Sequence, residues 1–167
     1  ANHRTGAIFW RVASSAGLRG MTPASARLRE LGIELPAVAA PIAAYIPARQ
    51  HGEAIWTSGQ LPLAGGELVA IGKLGGEVTL EQGVEAARIA VLNALAAASQ
   101  VAGGIDKLRG IHRVVVFVAS TPEFTDQAKV ANGASELLGE IFKESGSHVR
   151  SAVGVPSLPL DAAVEVE

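Results

Sequence analysis

The run Ile111-His112-Arg113-Val114-Val115-Val116-Phe117-Val118-Ala119 decides the fold. It opens with alternation and closes in the unbroken apolar segment from Val114 to Val118, the pattern of a strand covered on both faces. Such a strand belongs in the middle of a sheet.

On its N-terminal side, Thr79-Leu80-Glu81-Gln82 has the form of a capping box, in which Thr79 bonds the amide at Gln82 and the Gln82 side chain reaches back. Leu80, Val84, Ala87, Val91, Leu95 and Ala98 then recur every three or four residues until Gly103-Gly104. This predicts a long helix with one apolar face.

On its C-terminal side, residues 120–124 carry turn and helix-start chemistry, and Val130, Leu137, Leu138, Ile141 and Phe142 predict a second amphipathic helix ending near Gly146. Two strands follow, over 151–155 and 162–167.

Toward the N-terminus, a strand at about 43–49, the break at Gly52 and the β-branched and aromatic stretch 54–58 predict a hairpin. Residues 64–67 read as a turn, Val69 and Ile71 as a short strand, and 72–76 as a glycine-rich loop without the Gly-Lys-Ser/Thr ending of a phosphate-binding loop. Thr22 as N-cap and Pro23 at the first helical position predict a short helix that starts at Pro23 and continues from Ala24 to Leu31, and the Pro/Ala-rich residues 35–41 an extended connector.

The expected order is β-β-β-α-β-α-β-β, an α+β architecture in which two long helices pack on one face of a mixed sheet. The other face is left apolar, which predicts oligomerisation.

A chain of 167 residues, about half of them apolar, fits one domain with its own core. The single methionine, Met21, stands just before a helix start, so the domain is expected at 21–167 with 1–20 as an N-terminal extension. At the other end, residues 164–167 stop mid-pattern for a strand, which leaves open a longer native C-terminus.

The net charge of −2 and singly scattered cations give no basic stripe, so nucleic acid is not an expected partner. With no cysteine there is no disulfide framework and no thiolate nucleophile, and no apolar run approaches the ~18 residues that span a bilayer. A soluble, cytoplasmic protein with no membrane contact is expected.

Few residues stand out as carriers of chemistry. Arg150, just before a predicted strand, could hold a carboxylate with its planar fork, although taken alone an exposed arginine is the more ordinary reading. Glu165 and Glu167 share one strand face, and a proton-transfer role for Glu165 requires partial burial. Ser58-Gly59-Gln60 closes an apolar strand where a glycine admits close approach of a ligand, or simply forms a bulge. Tyr45 is the sole tyrosine, and Asn132-Gly133 inside a helix suggests contact with a ligand or neighbouring subunit, or a tolerated surface pair. The four histidines show no metal-ligand spacing, and no metal site is expected.

In sequence order, Tyr45, residues 57–62 (Thr-Ser-Gly-Gln-Leu-Pro), Asn132, residues 150–153 (Arg-Ser-Ala-Val), Leu158-Pro159 and residues 164–167 (Val-Glu-Val-Glu) resemble the RidA/YjgF family. That resemblance implies a chorismate-mutase-like fold, a homotrimer with sites between subunits, and cofactor-free hydrolysis of enamine or imine intermediates, such as 2-aminoacrylate or 2-iminobutanoate, to 2-keto acids and ammonia. It assigns Arg150 to the substrate carboxylate, Glu165 to the attacking water, and Tyr45, Ser58, Gly59, Asn132 and the Ala152 backbone to the cleft wall. Ala152 departs from the cysteine that many deaminating members carry there, and the N-terminal helix and connector are additions to the short family form. The alternatives are a non-catalytic trimer that binds small carboxylates, and the endoribonuclease label also attached to the family.

Overall fold

The computed structural model describes residues 22–38 and 44–167. The expected extension 1–20, the Met21 start, the end of the Pro/Ala connector and residue 43 of the first predicted strand lie outside them.

The sequence Ile111–Ala119 does form the centre. Strand β5 (Arg113–Ala119) lies between β6 (Val149–Val155), which runs parallel to it, and β7 (Val164–Val166), which runs antiparallel. Val114, Val116 and Val118 face the helices and are buried with Val164 and Val166 of β7. One face of this sheet is therefore the core wall.

Two long helices cover that wall: α2 (Leu80–Ala102) and α3 (Gln127–Phe142). The capping box at Thr79 forms in both directions, with the Gln82 amide donating to Thr79 Oγ1 and the Thr79 amide donating to Gln82 Oε1. At its other end α2 stops on Gly103 in the left-handed conformation (φ 80°, ψ 28°), whose neighbour Gly104 donates to Ser99 O.

The two helices cross at glycine. A Cβ on Gly133 would stand 2.0 Å from Val84 O of α2, so Gly133 serves helix packing within the chain and not a ligand or a neighbouring subunit. The helix backbones meet there.

Four short strands precede α2, where three were expected. Strands β1 (Ala48–His51) and β2 (Ala54–Thr57) form the predicted hairpin around Gly52 (φ 60°). The first strand starts later than expected, because Pro47 has no amide to donate and its carbonyl closes the pair by accepting from Ser58 N. Val69 and Ile71 do not form a strand of their own. Gly65-Gly66, both with positive φ, instead make a two-residue turn that pairs β3 (Leu63–Ala64) with β4 (Glu67–Leu68), and Ile71 makes only an isolated bridge to Ala162. The turn, not the β-branched residues, sets the register.

Helix α1 (Ala24–Glu30) also begins one residue later than expected. Pro23 occupies the cap position in an extended conformation (φ −58°, ψ 146°) and Thr22 makes no side-chain cap. Ser25 anchors the helix instead, donating from backbone and hydroxyl to Asp106 at 2.8 and 2.6 Å, which holds the Asp106 carboxyl below its ordinary pKa.

No helix among the described residues is long and apolar enough to cross a membrane. The helix-free sheet face leaves Val149 and Val153 of β6 exposed, in keeping with the apolar outer face expected from the sequence.

Gly133→Ala drives a methyl group into the α2 backbone and is expected to lower unfolding free energy by about 2 kcal/mol, in the usual range for overpacking. Urea titration measures the change.

Candidate functional site

Strand alternation sends Arg150 toward α3. It lies opposite Val114, a core residue of β5, and so shares the helix side of the sheet. There its guanidinium meets three acceptors on one stripe of α3.

Nη1 donates to Asn132 Oδ1 at 3.0 Å and to Ser135 Oγ at 2.9 Å, and Nη2 donates to Ala128 O at 3.2 Å. Positions 128, 132 and 135 are four and three residues apart, the spacing that aligns groups on a helix face. Of the five guanidinium donors, these bonds leave Nε–H and one Nη2–H, adjacent atoms that together form one edge. That edge fits a carboxylate.

The support continues behind Ser135. Its hydroxyl lies 2.9 Å from His148 Nε2, and His148 Nδ1 lies 2.6 Å from Gly146 O. A carbonyl can only accept, so Nδ1 carries the proton and, in the neutral ring, Nε2 accepts from Ser135. Gly146 is itself fixed, because a Cβ there would meet Leu138 O at 2.4 Å.

Sequence reading missed Ser135, His148 and the carbonyl of Ala128. Signals existed: Ser135 follows Asn132 by three on the helix, and His148 precedes Arg150 by two, so both share its side of their elements.

Glu165 lies elsewhere. It pairs with Phe117, which has the opposite parity to Val114 on β5, so Glu165 projects from the face that Arg150 does not use. Two strand spacings and the sheet itself separate the two groups within one protomer.

The groups that accompany Glu165 come from the hairpin end. Gln60 bridges to Val166, bringing Gly59 so close that a Cβ there would collide with the Glu165 carboxylate. Ser58 Oγ donates to Ile46 O at 2.7 Å, tying the segment that carries the exposed Tyr45 to the same end of β2. Partial burial raises the Glu165 carboxyl above its ordinary pKa, and the neighbouring charge of Glu167 adds to the effect.

The predicted residues thus fall into two groups: Arg150 with Asn132, and Glu165 with Gly59, Ser58 and Tyr45. Ala152 belongs beside the first, with its side chain packed on the core and its backbone in β6, an edge strand of the three-stranded sheet. A groove of about 1000 Å³ beneath the β1–β2 hairpin, floored by Val91, Leu95 and Leu138, contains none of them. Among the described residues, no group of three or more His, Cys, Asp or Glu could hold a metal.

Residues 25–166 match the family model described as "YjgF/chorismate mutase-like, putative endoribonuclease". The chain is 42% identical over 144 residues to Protein TCP17 of Trypanosoma cruzi, covering 86% of this chain and 90% of that protein. A crystal structure of an endoribonuclease-labelled protein from Shewanella oneidensis superposes with a TM-score of 0.84 at 36% identity, over 87% of this chain and 96% of that one. A protein of unknown function from Agrobacterium tumefaciens gives 0.79 at 38% identity, over 86% and 88%.

Two variants separate packing from site chemistry. Gly59→Ala collides with the Glu165 side chain, which can rotate away, whereas Gly133→Ala meets the Val84 backbone, so Gly59→Ala is expected to cost less stability than Gly133→Ala in the same urea titration while disturbing ligand binding. Glu165→Gln removes a carboxyl that the folded state holds protonated to higher pH than the unfolded chain does. The wild type should therefore lose stability relative to Glu165→Gln as pH rises through the carboxylate range, with the difference constant above the raised pKa. Thermal midpoints of both proteins across that range check the sign.

Proposed function

Because the chain belongs to the YjgF/chorismate-mutase-like family, we propose that it hydrolyses enamine and imine derivatives of 2-keto acids, releasing the keto acid and ammonia. The observation that carries this reading is the open donor edge of Arg150, held in place by Asn132, Ser135 and the Ala128 carbonyl. It is a ready carboxylate anchor.

The reaction asks little else of the protein. Enamines tautomerise to imines, and a protonated imine carbon is already electrophilic. Water oxygen bonds to that carbon while the C=N π pair moves to nitrogen, giving a carbinolamine. A proton then passes to nitrogen, the C–N bond breaks, and the hydroxyl loses its proton as C=O forms.

The steps move protons between oxygen and nitrogen, which suits a carboxyl group that holds its proton more tightly than an ordinary carboxylate does. Glu165 is such a group, since burial raises its pKa. It takes the proton from the attacking water and returns it to the leaving nitrogen. Tyr45, Ser58 and the Gly59 backbone wall the cleft, and Arg150 fixes the substrate in the geometry for attack.

Arg150 and Glu165 occupy opposite sheet faces of one protomer, so a site using both is completed by a second copy. The reading therefore includes a homo-oligomer, a trimer with one cleft at each interface, and exposed Val149 and Val153 are apolar surface for it to bury. A cytoplasmic setting fits a cysteine-free chain. The family description's endoribonuclease activity is disfavoured for this chain, because a net charge of −2 offers little to hold phosphates.

The expected result is faster ammonia release from enzymatically generated 2-aminoacrylate or 2-iminobutanoate. Arg150→Ala should lose about 10- to 100-fold in kcat/KM, the magnitude of a charge-assisted hydrogen-bond pair. Wild-type rates equal to buffer would refute the reading.

Complementation tests the shared site. Arg150→Ala and Glu165→Gln, each strongly impaired alone, should on co-assembly recover up to about a quarter of wild-type activity, the fraction of randomly mixed interfaces with both intact groups. A site inside one protomer would recover none.

A further inference from the structure

Beside Arg150 the surface sinks into a depression of about 370 Å³, lined by Ser135, Gly139, Lys143, Ser147 and His148 together with Gly146. That volume is within the range of small-molecule sites, roughly 300–1,000 Å³. It is larger than a three-carbon acid held by Arg150 requires.

Its lining has one sign of charge. Lys143 and Arg150 are cationic, Ser135, Ser147 and His148 are polar, and no Asp or Glu belongs to the wall. The acids nearby on α3 are engaged or turned away: Glu140 pairs with Arg88, and Glu136 is exposed and outside the lining. Among the described residues neither Lys143 nor Arg150 has a carboxylate within ion-pairing distance.

The backbone keeps Lys143 at this rim. Helix α3 ends on it, with its amide bonded to Gly139 O and its backbone at φ 55°, ψ −128°, a strained conformation for a residue with a side chain. Gly139 keeps the floor open, since a Cβ there would meet nothing within 4 Å. His148 cannot turn in as a free donor, because Gly146 O and Ser135 occupy its two ring nitrogens.

We propose that this depression is the specificity pocket of the site and takes the far end of a substrate that carries a second acid group, a 2-imino or 2-keto dicarboxylic acid. Arg150 holds the first carboxylate and Lys143 the second. The inference rests on the imine-hydrolase reading only in giving Arg150 that first role.

Binding of stable keto acids tests it without turnover. By isothermal titration at fixed ionic strength, 2-oxoglutarate should bind about fivefold more tightly than 2-oxopentanoate, as an exposed ion pair allows. Lys143→Gln should bring the two affinities within about twofold, and Lys143→Arg should retain the preference. Gly139→Leu, which fills the depression, should weaken the five-carbon acids more than pyruvate. Equal affinities in the wild type, a preference that survives Lys143→Gln, or no binding of either acid would overturn the proposal. Imine hydrolysis without a dicarboxylate preference removes the pocket alone, whereas a preference without hydrolysis removes the catalytic reading and leaves the pocket.

Discussion

The register of β5 against its two neighbours governs the molecule. Val114 opposite Arg150 and Phe117 opposite Glu165 are an odd number of residues apart, so the two side chains leave the sheet on opposite faces. A shift of one residue in the β6 pairing would turn Arg150 to the other face, and one in the β7 pairing would turn Glu165 inward and bring the β7 valines out of the core. The register is held by burial, since Val116, Val118, Val164 and Val166 are all nearly or fully inaccessible. Core packing and site geometry are thus one constraint.

The helix layer converts that register into an oriented arginine. An isolated Arg on an edge strand loses side-chain entropy whenever it is held for a ligand. Here α3 meets part of that cost beforehand, by presenting Ala128 O, Asn132 and Ser135 in one stripe. The stripe is correctly placed because α3 lies tight against α2, which Gly133 permits by giving up its Cβ to the Val84 carbonyl. A glycine in the helix crossing therefore helps set the orientation of the Arg150 guanidinium.

Much of this was legible in the sequence, for identifiable reasons. The β5 run, the capping box at Thr79 and the Gly103 stop are local signals whose physics is complete within a few residues, and each appears where expected. The β3–β4 hairpin was misread because a turn of two positive-φ glycines outweighed the β-branched residues after it. Pro23 and Pro47 each delayed the start of an element, Pro23 by taking an extended conformation at the cap and Pro47 by having no amide to donate to the hairpin. The resemblance to a family drew attention to Arg150, Glu165 and their companions, but pairing parity between non-adjacent strands has no local signature. Their separation onto two faces became visible only in three dimensions. Ser135 and His148 were passed over for a related reason: a lone serine and a lone histidine gain meaning only from the arginine that both support.

The separation of the two groups also gives the exposed valines of β6 a second significance. A sheet face that is merely apolar could be covered in many ways, but one that carries a raised-pKa carboxyl beside a glycine-lined edge restricts what can cover it. The covering surface must bring a cation or a hydrogen-bond partner to that carboxyl, or leave it with water. The Arg150 edge of another copy satisfies this with no new residue, because the same chain carries both halves of the constellation. On the proposed reading, burying the outer face and completing the site would be one event, because β5 sets both faces through the register of its two pairings.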